Sequence, residues 1–236
     1  VKIEIKNRFT KEVIFTHECE NNTIKITVEE AVKQKVSLHD AHLRKACLIE
    51  ANLNGAFLSG ADLRDANLRW SNLSEADLSG VNLRWAVLFG ANLCGAIMRL
   101  TNLSWADLSG ANLRDASLID AILREADLNK VGLTNADLRG CDFGNSVLNE
   151  AYMSGACLDD ADLVGTTLLN AVMSDASLVC ADLRDADLRF ADLRDSDLTS
   201  VDLTDADLTN ADLTGAIMRE VIGYDIENEN HNNLLY

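Results

Sequence analysis

No proline occurs in the 236 residues, aromatic residues make up 5%, and basic residues are outnumbered 38 to 21, for a net charge of −17. Such an acidic balance speaks against direct, non-specific nucleic-acid binding. No apolar run is long enough to cross a membrane. The opening VKIEIKNRFT has no signal-peptide hydrophobic region, so a cytoplasmic location is expected. The six cysteines (Cys19, Cys47, Cys94, Cys141, Cys157 and Cys180) lack paired metal-binding spacing and are read as reduced thiols, not a disulfide framework or zinc site. Serine, histidine and aspartate form no credible triad on the sequence, and no glycine-rich phosphate loop is present. Neither a 3.6-residue nor a sustained two-residue hydrophobic period fits the bulk of the chain, which argues against amphipathic helices and long strands.

A period of five is present instead. From Ala181 to Thr214 the chain reads ADLRDADLRFADLRDSDLTSVDLTDADLTNADLT, with Leu183, Leu188, Leu193, Leu198, Leu203, Leu208 and Leu213 at every fifth position. The register holds from Val36 to Glu220, 185 residues or 37 pentapeptides without an insertion. A small residue stands two positions before each central leucine. In an extended segment the two point to one side and the residue between them points away. The two residues after each centre are mostly polar or glycine and suit a turn. Methionine (Met98, Met153, Met173, Met218) or phenylalanine (Phe143) replaces leucine at five centres, and ten inner positions hold Val, Ser, Thr or Cys instead of Ala. All are tolerable core residues. Fixed self-similarity of this kind means stacked repeats around one shared core.

The coil length follows from the outward positions. Asn52, Asn72, Asn92 and Asn112 recur every twenty residues, as do Arg44, Arg64 and Arg84, and Trp85 with Trp105. Four pentapeptides per coil would stack each set into a column, and asparagine columns form amide ladders at strand spacing. About nine such coils make a rod of about 44 Å.

The repeated (A/S/V)(D/N)LXX phrase resembles the pentapeptide-repeat family. The resemblance implies an all-β solenoid, a right-handed quadrilateral β-helix with leucine and alanine inside. Three segments are expected: an N-terminal cap over 1–35, the β-helix over 36–220, and a C-terminal cap and tail over 221–236. In the first, Lys2–Lys6 and Val13–Thr16 read as strands around a Thr10-Lys11-Glu12 turn. A helix follows, capped by Asn22 or Thr23, with Ile24, Val28, Ala31 and Val32 on one face. Similar hairpin-and-helix segments precede the coils in bacterial and phage proteins of the family. A cap is needed, because the first coil otherwise exposes a strand edge and an apolar core end. In the tail, Val221, Ile222, Tyr224 and Ile226 are expected to fold over the last coil, and Leu234, Leu235 and Tyr236 to dock back or meet a second copy.

Two surfaces stand out. The only tryptophans, Trp70, Trp85 and Trp105, fall near Val87 and Phe89 if coils hold four pentapeptides. Either the rings merely stack, covered by Arg64 and Arg84, or they form a contact site. The other surface is acidic: Asp182, Asp187, Asp192, Asp197, Asp202, Asp207 and Asp212. Residues 181–220 carry 4 basic against 11 acidic residues. Over two coils that is one charge per about 1.4 Å, comparable with about 1.7 Å for duplex DNA. The run is short, and Arg184, Arg189 and Arg194 interrupt it. His39, Asp40 and His42 on a polar corner are read as solvated, not as metal ligands.

The expected function is therefore non-catalytic: an interaction or scaffold protein that binds a protein partner, with no cofactor and no metal. Quinolone-resistance and gyrase-binding members of the family imply an alternative, mimicry of DNA toward a type II topoisomerase, with pairing of two copies through the C-terminal coil. A structural module without a specific partner is the third reading.

Overall fold

The computed structural model describes residues 1–224. It opens with an antiparallel hairpin of β1 (Lys2–Lys6) and β2 (Val13–Glu18), in which Lys2 faces Glu18 and Ile5 faces Phe15, with an irregularity between Ile5 and Lys6. The connection is wider than three residues: the Asn7 N–H donates to the Glu12 carbonyl, and Lys11 takes a left-handed conformation (φ 64°). Helix α1 (Ile24–Lys33) follows, with Thr23 as its N-cap accepting from the Ile26 N–H. Asn22 instead accepts from the Thr27 hydroxyl at 3.0 Å.

The rest is a right-handed, four-sided parallel β-helix. Each outward residue bridges the one twenty positions on, as in His42–Asp62–Asn82–Asn102, and the ladder continues in this way to Asp202–Ile222. It thus reaches two residues beyond the last full pentapeptide. Leucine, methionine and Phe143 centres with their small partners fill a single continuous core. Three polar inner residues are satisfied locally, the Ser71, Thr166 and Ser196 hydroxyls donating to the carbonyls of Leu68, Leu163 and Leu193, while Thr101 donates to Leu78 of the preceding coil and the Ser146 hydroxyl has no acceptor.

Following the five backbone N–H groups of one repeat explains the phrase. Around Asp62, the Asp62 N–H donates back to the Ala41 carbonyl and the Leu63 N–H forward to Asn82. The Asp65 N–H donates forward to Arg84, and the Ala66 N–H closes the turn on Leu63. Only the Arg64 N–H lacks a backbone acceptor, and the Asp62 carboxylate takes it. The same bond recurs from Asn67 to Asp212, which is why Asp or Asn fills the outward position. At every corner the second residue after the centre has positive φ. Glycine and asparagine suit this conformation, and bulky side chains are disfavoured there.

The hairpin and helix stand in for the coil that would precede the first. The His42 N–H, which would donate back to an earlier coil, finds the Lys6 carbonyl at 2.8 Å. That of Asn52 finds the Glu29 carboxylate at 2.8 Å. Ile5, Val28 and Ala31 join the core. At the far end, Val221 and Tyr224 pack against the core while Ile222 stays exposed. Ile226, Leu234, Leu235 and Tyr236 lie outside the described residues.

Candidate interaction surface

The five residues Trp70, Trp85, Val87, Phe89 and Trp105 fall on one side of the helix, grouped as two ring pairs at opposite corners. Trp85 and Trp105, one coil apart, stack with centroids 5.4 Å apart and planes 15° from parallel. Across the face, Trp70 meets Phe89 edge-to-face at 5.0 Å. Its indole lies over the next corner, where a Cβ on Gly90 would come within 2.2 Å of the ring. Val87 stands between the pairs, bridged to Asn67 and Asp107. Arg84 lies over both stacked rings, 4.4 Å from Trp85 and 4.8 Å from Trp105. Arg64 does not cover them, contrary to the sequence-based expectation. It is drawn to Asp62, two residues back, in a paired contact at 2.8 and 2.6 Å, because a carboxylate outcompetes a ring for a guanidinium.

These rings occupy costly positions. Trp70, Trp85 and Trp105 all sit at corners with φ of 56–58°, and remain 57%, 45% and 40% exposed. Glycine takes the same conformation without strain, as at Gly90 and Gly110. Stacking and the arginine contact return only about 0.5–1.5 kcal/mol each.

The aspartates of the last coils are differently engaged. Arg184 is clasped between Asp182 (2.6 Å) and Asp202 (3.8 Å). Arg189 sits likewise between Asp187 and Asp207, and Arg194 between Asp192 and Asp212. Asp197 accepts from both the N–H and hydroxyl of Thr199. Each of the seven carboxylates therefore secures its own corner turn, and six are partly neutralised by three arginines. The arginine hydrogen bonds hold Asp182, Asp187 and Asp192 below the usual carboxylate range. A depressed folded-state value means stability that is present above the unfolded value, about 3.9, and lost as pH falls through the lower folded one. Lowering the pH below about 4 should loosen residues 181–220 before residues 81–120, whose aspartates face no such clasp. Peptide-resolved hydrogen exchange, corrected for intrinsic rates, will show this. Equal loss of protection in both regions would refute it.

Elsewhere the chemistry is sparse. His39 lies 3.1 Å from Asp40 and His42 lies 3.9 Å from Asp62, so the two imidazoles face different carboxylates. No group of three or more metal-ligating side chains converges among the described residues. The six cysteines are free, and burial pushes the Cys141 thiol up to about 12. Among the described residues, no helix is long and apolar enough to cross a membrane.

A parallel β-helix with four short sides, a repeating Asp/Asn-held corner and a filled interior defines a class of repeat solenoid. The chain belongs to the pentapeptide-repeat family: the family model "Pentapeptide repeats" matches it in overlapping copies from residues 41–80 to 181–220. Among solved structures it is similar to HetL, a pentapeptide repeat protein involved in heterocyst differentiation regulation in the cyanobacterium Nostoc sp. strain PCC 7120. That match has 33% identity and a TM-score of 0.50, and covers 80% of this chain and 85% of HetL. QnrB1, a plasmid-mediated fluoroquinolone resistance protein, shares the fold at 20% identity and a TM-score of 0.63, with 77% of this chain and 90% of that one covered. No curated protein matches the sequence.

Proposed function

We propose that this protein is a non-catalytic interaction protein that engages a protein partner through the face bearing Trp70, Trp85, Val87, Phe89 and Trp105. The observation that carries this reading is the placement of all three tryptophans at left-handed corners, partly exposed, in ring pairs flanking one face. The fold gains little from rings there, whereas exposed tryptophan with arginine is the composition of binding hot spots. Among the described residues the interior is occupied by the packed leucine and alanine side chains.

The acidic coils support the second reading, DNA mimicry, less well. Their charge density is sufficient, but half of it on three sides is spent on the arginine clasps. Pairing of two copies at the C-terminal end would lengthen the run and belongs to that reading.

Affinity capture from host extract, with the native chain beside Trp85→Ala/Trp105→Ala, separates the two. The double variant should lose the captured partner while its unfolding free energy stays within about 3 kcal/mol of native, since only one ring stack and one arginine contact are removed and alanine leaves the corner strain unchanged. A captured topoisomerase, retained by the double variant and inhibited in supercoiling, would favour mimicry. A sharp stability loss without binding loss would make the rings structural.

A further inference from the structure

The distribution of unpaired arginines narrows the partner's chemistry. Most arginines of the coils hold a carboxylate within 4.0 Å: Arg44, Arg64, Arg114, Arg124, Arg139 and the three C-terminal clasps. Within a chain of net charge −17 this is the expected state of a guanidinium. Among the described residues, four arginines of the coils make no such pair, Arg69, Arg84, Arg99 and Arg219, and the first two stand together on the aromatic face. Arg69 immediately precedes Trp70 and lies in the column beneath Phe89. Arg84 precedes Trp85, and its guanidinium carbon lies against both rings of the stack. Its Nε is shielded from solvent and has no acceptor. Its terminal amino groups are not shielded in this way and hold no acceptor in the protein, so they are the donors open to a partner.

Resting on the reading of this face as a protein interface, we propose that its occupant is a partner segment presenting carboxylates beside an apolar side chain. A guanidinium held against indole by its shielded Nε side keeps its terminal N–H groups free, with little side-chain entropy left to lose on binding. Arg84 at one corner and Arg69 at the other thus offer two forks for carboxylates, while Val87 and the rings receive the apolar group between them. Local fit, not long-range attraction, selects this partner, because the protein as a whole repels acidic chains.

The test uses the full chain, whose three tryptophans all report from this face. A tryptophan-free peptide of alternating Glu and Leu is titrated against intrinsic fluorescence, beside Lys/Leu and Gln/Leu peptides of equal length. The Glu/Leu peptide should shift the emission saturably, and Arg69→Gln/Arg84→Gln should weaken it at least about tenfold. Gly90→Ala, which displaces the Trp70 ring, should weaken it with both arginines intact. Equal or tighter binding of the Lys/Leu peptide, or indifference to the arginine substitutions, overturns the acidic partner. In that case the interface reading survives only if Trp85→Ala/Trp105→Ala still abolishes capture from the host. Silence toward all three peptides also overturns the proposal. Loss of capture in the tryptophan variant decides the interface separately.

Discussion

A Leu128→Lys variant should fail to hold the middle coils together and should melt far below the native protein, or not fold at all. Leu128 is fully buried, and its N–H donates to the Val147 carbonyl at 2.7 Å. Removing it forfeits about 1.5–3 kcal/mol of apolar burial. The replacement ammonium adds a desolvation cost of several kcal/mol with no carboxylate inside to answer it. In a solenoid the damage spreads, since each coil is stabilised by its two neighbours. The total approaches the whole stability of an ordinary domain, about 5–15 kcal/mol. Urea unfolding followed by far-ultraviolet circular dichroism measures it, with Leu128→Met as a control that should cost under about 1.5 kcal/mol. A lysine variant within about 1 kcal/mol of native would mean that the core is not the closed apolar column described above.

A comparable effect is expected at the N-terminal end. Val28 in α1 is fully buried and belongs to the shared core. Aspartate there would place a carboxylate against Ile5 and the first leucines, and the helix should lift away. With it would go Glu29, the acceptor for the Asn52 N–H. The hairpin's hold on His42 through Lys6 should weaken too. The first coil would then expose unpaired backbone beside its apolar end, the condition that promotes edge-to-edge association. Val28→Asp should therefore form concentration-dependent oligomers by light scattering and lose hydrogen-exchange protection from Leu38 to Leu58. Val28→Ala should do so much less. A Val28→Asp protein that stays monodisperse, with those amides still protected, would show that the coils need no cap.

Both expectations derive from features legible in the residues. The five-residue register named every centre, and the hairpin and helix were readable from alternation and from Thr23. The surface was less legible. That Trp85 and Trp105 share a corner followed from the twenty-residue recurrence, and the asparagine column followed in the same way. The amide ladder links Asn72, Asn92 and Asn112 at 3.3 and 3.2 Å but does not reach Asn52, although all four accept from the N–H of their own corner. The reason for aspartate in the phrase was missed, although the signal was there: one N–H in each repeat has no backbone acceptor, and Asp or Asn stands two residues before it.

By itself, then, the sequence determined the core, the coil length and the membership of each column, because inward and outward positions alternate locally and the register never slips. Only the tertiary structure decided what each long side chain does within its column. An arginine after a centre lies within reach of the aspartate two residues behind it, as Arg64 does of Asp62, and of the one eighteen ahead, as Arg124 does of Asp142. Or it finds neither, and lies on rings as Arg84 does. These choices turn on a few rotatable bonds and on differences of about 1 kcal/mol between competing exposed contacts. Aspartate at those two offsets marks arginines that pair, and Asn82 and Asn102 stand there for Arg84; where an arginine without such a partner comes to lie is settled only by the packing of adjacent coils.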